Sequence, residues 1–110
     1  MFAARDEVNH MVKHIVFWTL KESAGGKSKE DNALEIKRRL EALNGKIPGL
    51  ISLEVGIDFS RSEASADAAL YSEFEDREAL GAYQNHPEHI AVREFVGRVR
   101  SQRFLVDYEV

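Results

Sequence analysis

The chain has 110 residues, of which 44% are hydrophobic and 31% are charged, as is usual for a single globular domain. Its 15 basic and 19 acidic side chains give a net charge of −4. This balance weighs against a nucleic-acid partner, because proteins that bind a phosphate backbone present a basic face. The chain contains no cysteine, which excludes disulfides, thiolate metal sites and cysteine nucleophiles.

Membrane and export signals are not visible in the sequence. No apolar run approaches the roughly 20 residues of a membrane-spanning helix, and residues 1–10 lack the apolar segment of a signal peptide. We therefore expect a cytoplasmic protein with no membrane partner. We interpret residues 1–10 as an N-terminal extension or tag remnant and residues 11–110 as the folded domain.

The first predicted element is a strand over residues 12–21, where β-branched and aromatic residues alternate. One face carries His14, Val16, Trp18 and Leu20, and the other carries Ile15, Phe17 and Thr19. Since both faces are largely apolar, both should be covered in the folded protein.

A helix is predicted after the Gly25-Gly26 loop. Ser28 followed by Asp31 resembles a capping box, and Gly45 is the expected end of the helix. Apolar residues recur at steps of three and four, as on one face of a helix, at Ala33, Ile36, Leu40, Leu43 and Ile47.

Four further elements complete the chain. We predict strands over residues 50–59 and 68–74, with Ile51, Leu53, Val55 and Ile57 on one face of the former. Asp76 should cap a short helix that runs through Tyr83. A second amphipathic helix over residues 88–99 and a strand over residues 104–110 follow.

The order of elements, β-α-β-β-α(α)-β, predicts a ferredoxin-like βαββαβ fold of the α+β class, with a four-stranded antiparallel sheet. The helices can cover only one face of this sheet. A second copy of the chain is the simplest cover for the other face, so we expect a homodimeric α+β barrel.

Arginines crowd the C-terminal part of the chain, at Arg93, Arg98, Arg100 and Arg103. Acidic residues alternate with them, so we interpret these arginines as solvated or interface pairs rather than as nucleic-acid contacts.

Candidate chemistry is concentrated in the segment Tyr83-Gln84-Asn85-His86-Pro87-Glu88-His89. A phenol and imidazoles can exchange protons near neutral pH, and Pro87 prevents one continuous helix. Tyr83 and His89 could reach a cleft between sheet and helices beside His14.

The same residues allow structural roles. His86 could bind the backbone at a helix end, Tyr83 could be a core aromatic, and His14 could be a buried structural histidine. His86 and His89 lie three residues apart, but Pro87 breaks the helix that would align them on one metal ion. We therefore expect neither a metal nor another cofactor.

Three pieces of the sequence together resemble the stress-responsive α/β-barrel family of dimeric ferredoxin-like proteins. They are Val12-Lys13-His14-Ile15-Val16, then Ile47-Pro48-Gly49-Leu50, and finally Tyr83-x-x-His86-Pro87-x-His89 followed by Asp107-Tyr108. This family includes bacterial proteins without a known activity, plant stress proteins and a plant polyketide cyclase.

The resemblance implies roles for residues that match the cyclase motif. His89 would be a general base, Tyr83 would hold a carbonyl oxygen, and His14 would line the same cavity. The cyclase carries aromatic residues on its first helix where this chain has aliphatic ones, and a tryptophan where this chain has Arg100. We therefore expect a smaller or differently shaped pocket.

Our first hypothesis is a protein that binds a small, largely apolar or aromatic molecule. His14, Tyr83, His86 and His89 would supply polar groups, with Val16, Trp18, Leu20 and Leu70 as walls. The second hypothesis is a polyketide-cyclase-like enzyme in which Tyr83 and His89 catalyse an aldol-type reaction. A dimeric-barrel monooxygenase, by architecture alone, and a purely structural assembly protein are the remaining alternatives.

Overall fold

A computed structural model describes residues 10–110, so most of the expected N-terminal extension lies outside the described residues. The strands are β1 (Val12–Leu20), β2 (Ser23–Ala24), β3 (Lys27–Ser28), β4 (Leu50–Ile57), β5 (Ala68–Phe74) and β6 (Arg100–Glu109). The helices are α1 (Lys29–Glu41), α2 (Arg77–Gln84) and α3 (Pro87–Val99). Within residues 10–110, no helix combines the length and the apolar character needed to cross a membrane.

Four strands form one antiparallel sheet in the order β4-β5-β1-β6. The first strand is therefore central, and Val16 lies opposite Leu70 of β5 on one side and Leu105 of β6 on the other. Together with the helices in their chain order, this arrangement is the predicted ferredoxin-like fold.

The helices pack on the face of β1 that carries His14. Val16, Trp18 and Leu20 are each less than 5% exposed, as is His14 itself. This burial agrees with the cleft between sheet and helices that the sequence predicts beside His14. The core continues into α1, where Ile36 and Leu40 are buried.

Capping residues begin α1 and α2 where the sequence predicts. The hydroxyl of Ser28 accepts a hydrogen bond from the backbone N–H of Asp31 at 3.1 Å. The carboxylate of Asp76 accepts one from the N–H of Ala79 at 2.8 Å. These bonds satisfy backbone donors that the first helical turn leaves unpaired.

The opposite face of the sheet is apolar and exposed in the single chain. Phe17 and Phe104 face each other across β1 and β6 and are 41% and 63% exposed. Val106 and Tyr108 follow at alternate positions of β6 and are also exposed. We call these four side chains the open-face patch.

Several predicted elements differ in detail from the observed ones. Strand β6 begins at Arg100 instead of residue 104, and β4 ends at Ile57 instead of residue 59. Helix α1 ends at Glu41, before the predicted end at Gly45, and Leu43 and Ile47 are buried from the turns that follow. In β4 the register shifts between Leu50 and Ser52, so Ile51 is half exposed instead of sharing the buried face of Leu53. A bulge adds one residue and reverses which face the preceding side chains use.

A short hairpin replaces the predicted loop before α1. Strands β2 and β3 pair through Ser23–Ser28 and Ala24–Lys27. Gly25 and Gly26 connect them with φ angles of 62° and 79°. Two consecutive positive φ angles suit a two-residue hairpin turn, and glycine reaches them without strain.

Candidate functional site

His14 is fixed in the middle of β1 by contacts on both sides. Its backbone carbonyl accepts a hydrogen bond from the hydroxyl of Ser72 on β5 at 2.8 Å. Its Nδ1 lies 2.5 Å from Oδ1 of Asp107, the residue directly opposite on β6. A carboxylate that accepts from Nδ1–H directs the other ring nitrogen, Nε2, away from β6. Sequence reasoning did not assign Asp107 to the site, and the pairing of the two strands is what brings it there.

The break between α2 and α3 brings Tyr83 and His89 together. Asn85 ends α2, and α3 begins with Pro87 in its first turn, where the missing N–H and fixed φ of proline are tolerated. The rings of Tyr83 and His89 then lie 4.0 Å apart between centroids, at an interplanar angle of 34°. Tyr83 also contacts Phe74 at 4.8 Å and approaches His14 edge-on at 6.3 Å.

His86 has the structural contact that the sequence allowed for it. Its Nδ1 accepts a hydrogen bond from the backbone N–H of Glu88 at 3.1 Å, so it caps the N-terminus of α3. The side chain lies apart from His14 and the cavity beside it.

A small cavity of about 50 Å³ separates β1 from α3. His14, Val16, Trp18, Leu70 and His89, five of the predicted site residues, form part of its wall. The remaining lining residues are Leu40, Val92, Arg93, Val96 and Arg103.

Three predicted site residues do not line this cavity. His86 caps α3, and Tyr83 is fully buried behind His89. Leu20 lines a larger, open hollow of about 340 Å³ between α1 and the loop after β4. That hollow has both acidic and basic side chains on its wall, including Lys29 and Asp67. Among the described residues, none of its lining side chains has a buried polar atom without a partner.

Buried polar atoms without partners are concentrated near the small cavity. Among the described residues, the indole N–H of Trp18, the hydroxyl of Tyr83 and Nδ1 of His89 are buried and have no hydrogen-bond partner. Since leaving a buried polar group unpaired costs about 1–3 kcal/mol, three such groups around one cleft need an explanation beyond packing.

The surroundings keep both Tyr83 and His89 uncharged near neutral pH. Burial lowers the pKa of His89 to about 4. The backbone of Gln84 opposes this shift in part, while the positive charges of Arg93 and Arg103 act in the same direction as burial. Burial raises the pKa of the Tyr83 phenol, although Arg103 opposes the shift. Neutral imidazole can accept a proton, and a protonated phenol can donate a hydrogen bond.

Within residues 10–110, no group of three or more histidine and acidic side chains lies close enough to hold a metal ion. His14 and Asp107 form a pair, and His86 is engaged with the backbone of α3.

Comparison with known proteins identifies a family and a fold. Residues 12–110 match the model of the Stress responsive A/B Barrel Domain. No curated protein matches the chain.

Solved structures agree with this match. A dimeric protein of unknown function with a ferredoxin-like fold from Bacteroides fragilis is 35% identical to the chain, with a TM-score of 0.81, and the alignment covers 91% of this chain and 96% of that one. A dimeric ferredoxin-like protein of unknown function from Jannaschia is 27% identical, with a TM-score of 0.72 and coverage of 91% and 99%.

A more distant structure shares the fold alone. It is a putative antibiotic biosynthesis monooxygenase from Nitrosomonas europaea, 18% identical, with a TM-score of 0.70 and coverage of 93% of this chain and 91% of that one.

Proposed function

The chain belongs to the stress-responsive A/B barrel domain family, and we propose that it binds a small, largely apolar molecule that carries a carbonyl or hydroxyl group. The proposed site is the cavity between β1 and α3. The similar protein from Bacteroides fragilis is itself of unknown function, so the proposal depends on the site of this chain and not on inheritance from a relative.

The observation that carries the proposal is the set of unpaired polar atoms at an apolar cavity. Val16, Leu70 and Val92 supply apolar wall, while Trp18 and His89 each have a buried nitrogen without a partner among the described residues. An apolar wall with a few converging polar groups is typical of small-molecule sites. A ligand oxygen could accept from the indole N–H of Trp18, and the imidazole could bind the same or an adjacent group.

The size of the cavity limits the ligand. Its volume of about 50 Å³ is well below the roughly 300 Å³ at which pockets for drug-sized ligands begin. We propose that only a short aliphatic or carbonyl-bearing group enters fully and that the rest of the molecule lies at the mouth.

Nuclear magnetic resonance tests this binding directly. Trp18 is the only tryptophan of the chain, so its indole N–H gives a single, easily identified resonance. Butan-2-one, a small ketone, should shift this resonance in a saturable titration. Val92→Phe, which fills the cavity from α3, should abolish the shift, whereas Ile90→Phe on the same helix but outside the cavity wall should preserve it. A resonance that no small ketone or carboxylate moves would contradict the proposal.

A second candidate is an enzyme that removes a proton next to a carbonyl group, as in an aldol-type reaction. The observation in its favour is that a neutral imidazole, His89, lies against a protonated phenol, Tyr83, and that one buried atom of each has no partner within residues 10–110. His89 would accept the proton from carbon and Tyr83 would donate a hydrogen bond to the carbonyl oxygen. The burial of Tyr83 behind His89 places this function second, because the substrate oxygen would have to pass the imidazole.

Deuterium exchange distinguishes an enzyme from a binding protein. In D₂O, a catalytic His89 should speed exchange of the α-protons of butan-2-one above the buffer rate. His89→Gln should lose the acceleration and His10→Gln, a change at an exposed histidine, should keep it. If the parent protein binds butan-2-one but exchange proceeds at the buffer rate, the result would contradict the enzyme hypothesis and support binding alone.

We also propose that two copies of the chain assemble through their sheets. The open-face patch is apolar and exposed in the single chain, and the structures from Bacteroides fragilis and Jannaschia are dimeric proteins. Burying such a face against a second copy removes apolar surface from water.

A further inference from the structure

Two arginines at the cavity mouth lack acidic partners within the described part of the chain. Arg93 and Arg103 are exposed residues whose side chains reach the cavity wall. Among the described residues neither forms an ion pair, and the only hydrogen bond from a side chain of the two is donated by Arg93 to the backbone carbonyl of Gln84 at 3.2 Å. By contrast, Arg38, Arg39, Arg61 and Arg77 each pair with a carboxylate.

The nearby carboxylate of Asp107 already has a hydrogen-bond partner. Asp107 lies on the same face of β6 as Arg103, because alternate residues of a strand share a face. Its Oδ1 is 2.5 Å from Nδ1 of His14, however, and so it is engaged with the imidazole. Among the described residues, the ionisable groups at this end of the cleft therefore include two arginines, two histidines, the phenol of Tyr83 and one acid that has a partner.

The positive charge of the arginines extends into the cleft. Both Arg93 and Arg103 depress the pKa of His89, and Arg103 acts on Tyr83 as well. The mouth is thus locally positive, although the chain as a whole carries a net charge of −4.

We propose that the ligand of this cavity is a small monocarboxylate whose carboxylate binds Arg103 and Arg93 at the mouth. One of its oxygens also accepts from the indole N–H of Trp18, which lies opposite Arg103 in the pairing of β1 with β6. The short apolar part of the ligand enters between Val16, Leu70 and Val92. This inference rests on the proposed binding function and specifies its ligand class. The planar guanidinium group matches a carboxylate through two parallel N–H···O bonds. Val16, Leu70 and Val92 behind the arginines suit a hydrocarbon chain, which needs no hydrogen-bond partner.

A matched pair of ligands isolates the contribution of the charge. Butyrate and butyramide have nearly the same shape, and only butyrate is an anion. Followed through the Trp18 indole N–H, butyrate should bind about two- to fivefold more tightly than butyramide at low salt, since an exposed ion pair contributes modestly and is screened by ions. Added salt should reduce the preference.

Variants of Arg103 then test whether this residue supplies the positive charge that binds butyrate. Arg103→Gln should bring butyrate binding close to that of butyramide, and Arg103→Lys should restore part of the preference because it keeps the charge but not the planar fork. The control is Arg98→Gln, at an exposed arginine of α3 that does not line the cavity, and it should bind butyrate as the parent does.

The outcomes separate the two proposals. If butan-2-one and butyramide bind as tightly as butyrate, or if Arg103→Gln leaves the preference unchanged, the carboxylate inference is wrong while the binding function stands. If none of the three compounds moves the Trp18 resonance, the binding function itself fails.

Discussion

At the scale of single residues, His89 shows how the surroundings of a histidine determine its protonation state. The histidine lies in the first turn of α3, stacked on Tyr83 and facing an apolar cavity. Removing an imidazolium from water costs free energy, so the environment favours the neutral ring. A histidine in the same seven-residue motif, His86, instead caps the helix through Nδ1.

The neutral state of His89 predicts a contribution to the pH dependence of stability. Its pKa is about 4 in the folded protein against an ordinary value of 6.5. Between these values the unfolded chain binds more protons than the folded one, so stability decreases as pH falls. This contribution is fully present above about pH 6.5 and is lost progressively as pH falls through about 4.

Urea unfolding at a series of pH values measures this contribution. The difference in unfolding free energy between the parent and His89→Gln should become less favourable to the parent as pH falls from 7 to 4. The same difference taken for His10→Gln, at an exposed position, should change much less across that range. A pH-independent difference for His89→Gln would show that the imidazole is not held neutral.

At the scale of elements, the sequence predicts what depends on local pattern. Alternation identified β1 and the face that carries His14, and Asp76 marked the start of α2. The position of Pro87 predicted the chain break that places Tyr83 beside His89. Each of these features depends on only a few residues that are neighbours in the sequence.

Features that depend on tertiary geometry were not predictable in this way. Leu43 and Ile47 continue the helical spacing of α1 but are buried from turns, because a residue can reach the core without belonging to the helix. The role of Asp107 depends on the register of β6 against β1. The sequence suggests that Arg103 forms a solvated or interface pair, and only the side-chain positions place it at the cavity.

At the scale of the whole molecule, the chain has two different faces. One face of the sheet is covered by helices and contains the cavity, and the other presents the open-face patch. Contiguous exposed apolar surface of this kind is uncommon on monomers and typical of interfaces. The two faces separate assembly from ligand binding, so a change that disrupts one should spare the other.

Phe104→Asp tests this separation of assembly from binding. Phe104 is 63% exposed in the single chain, so the carboxylate should leave the fold of the protomer intact, but in a dimer it would be buried without a partner. By analytical ultracentrifugation the parent should have a mass of about 25 kDa, twice the 12.5 kDa of one chain, and the variant should sediment as a monomer. Leu34→Asp, at an exposed position of α1, should remain a dimer.

A monomeric parent, or a Phe104→Asp variant that still dimerises, would contradict assembly through this face. Retention of the Trp18 response in monomeric Phe104→Asp would show that the cavity is complete within one chain.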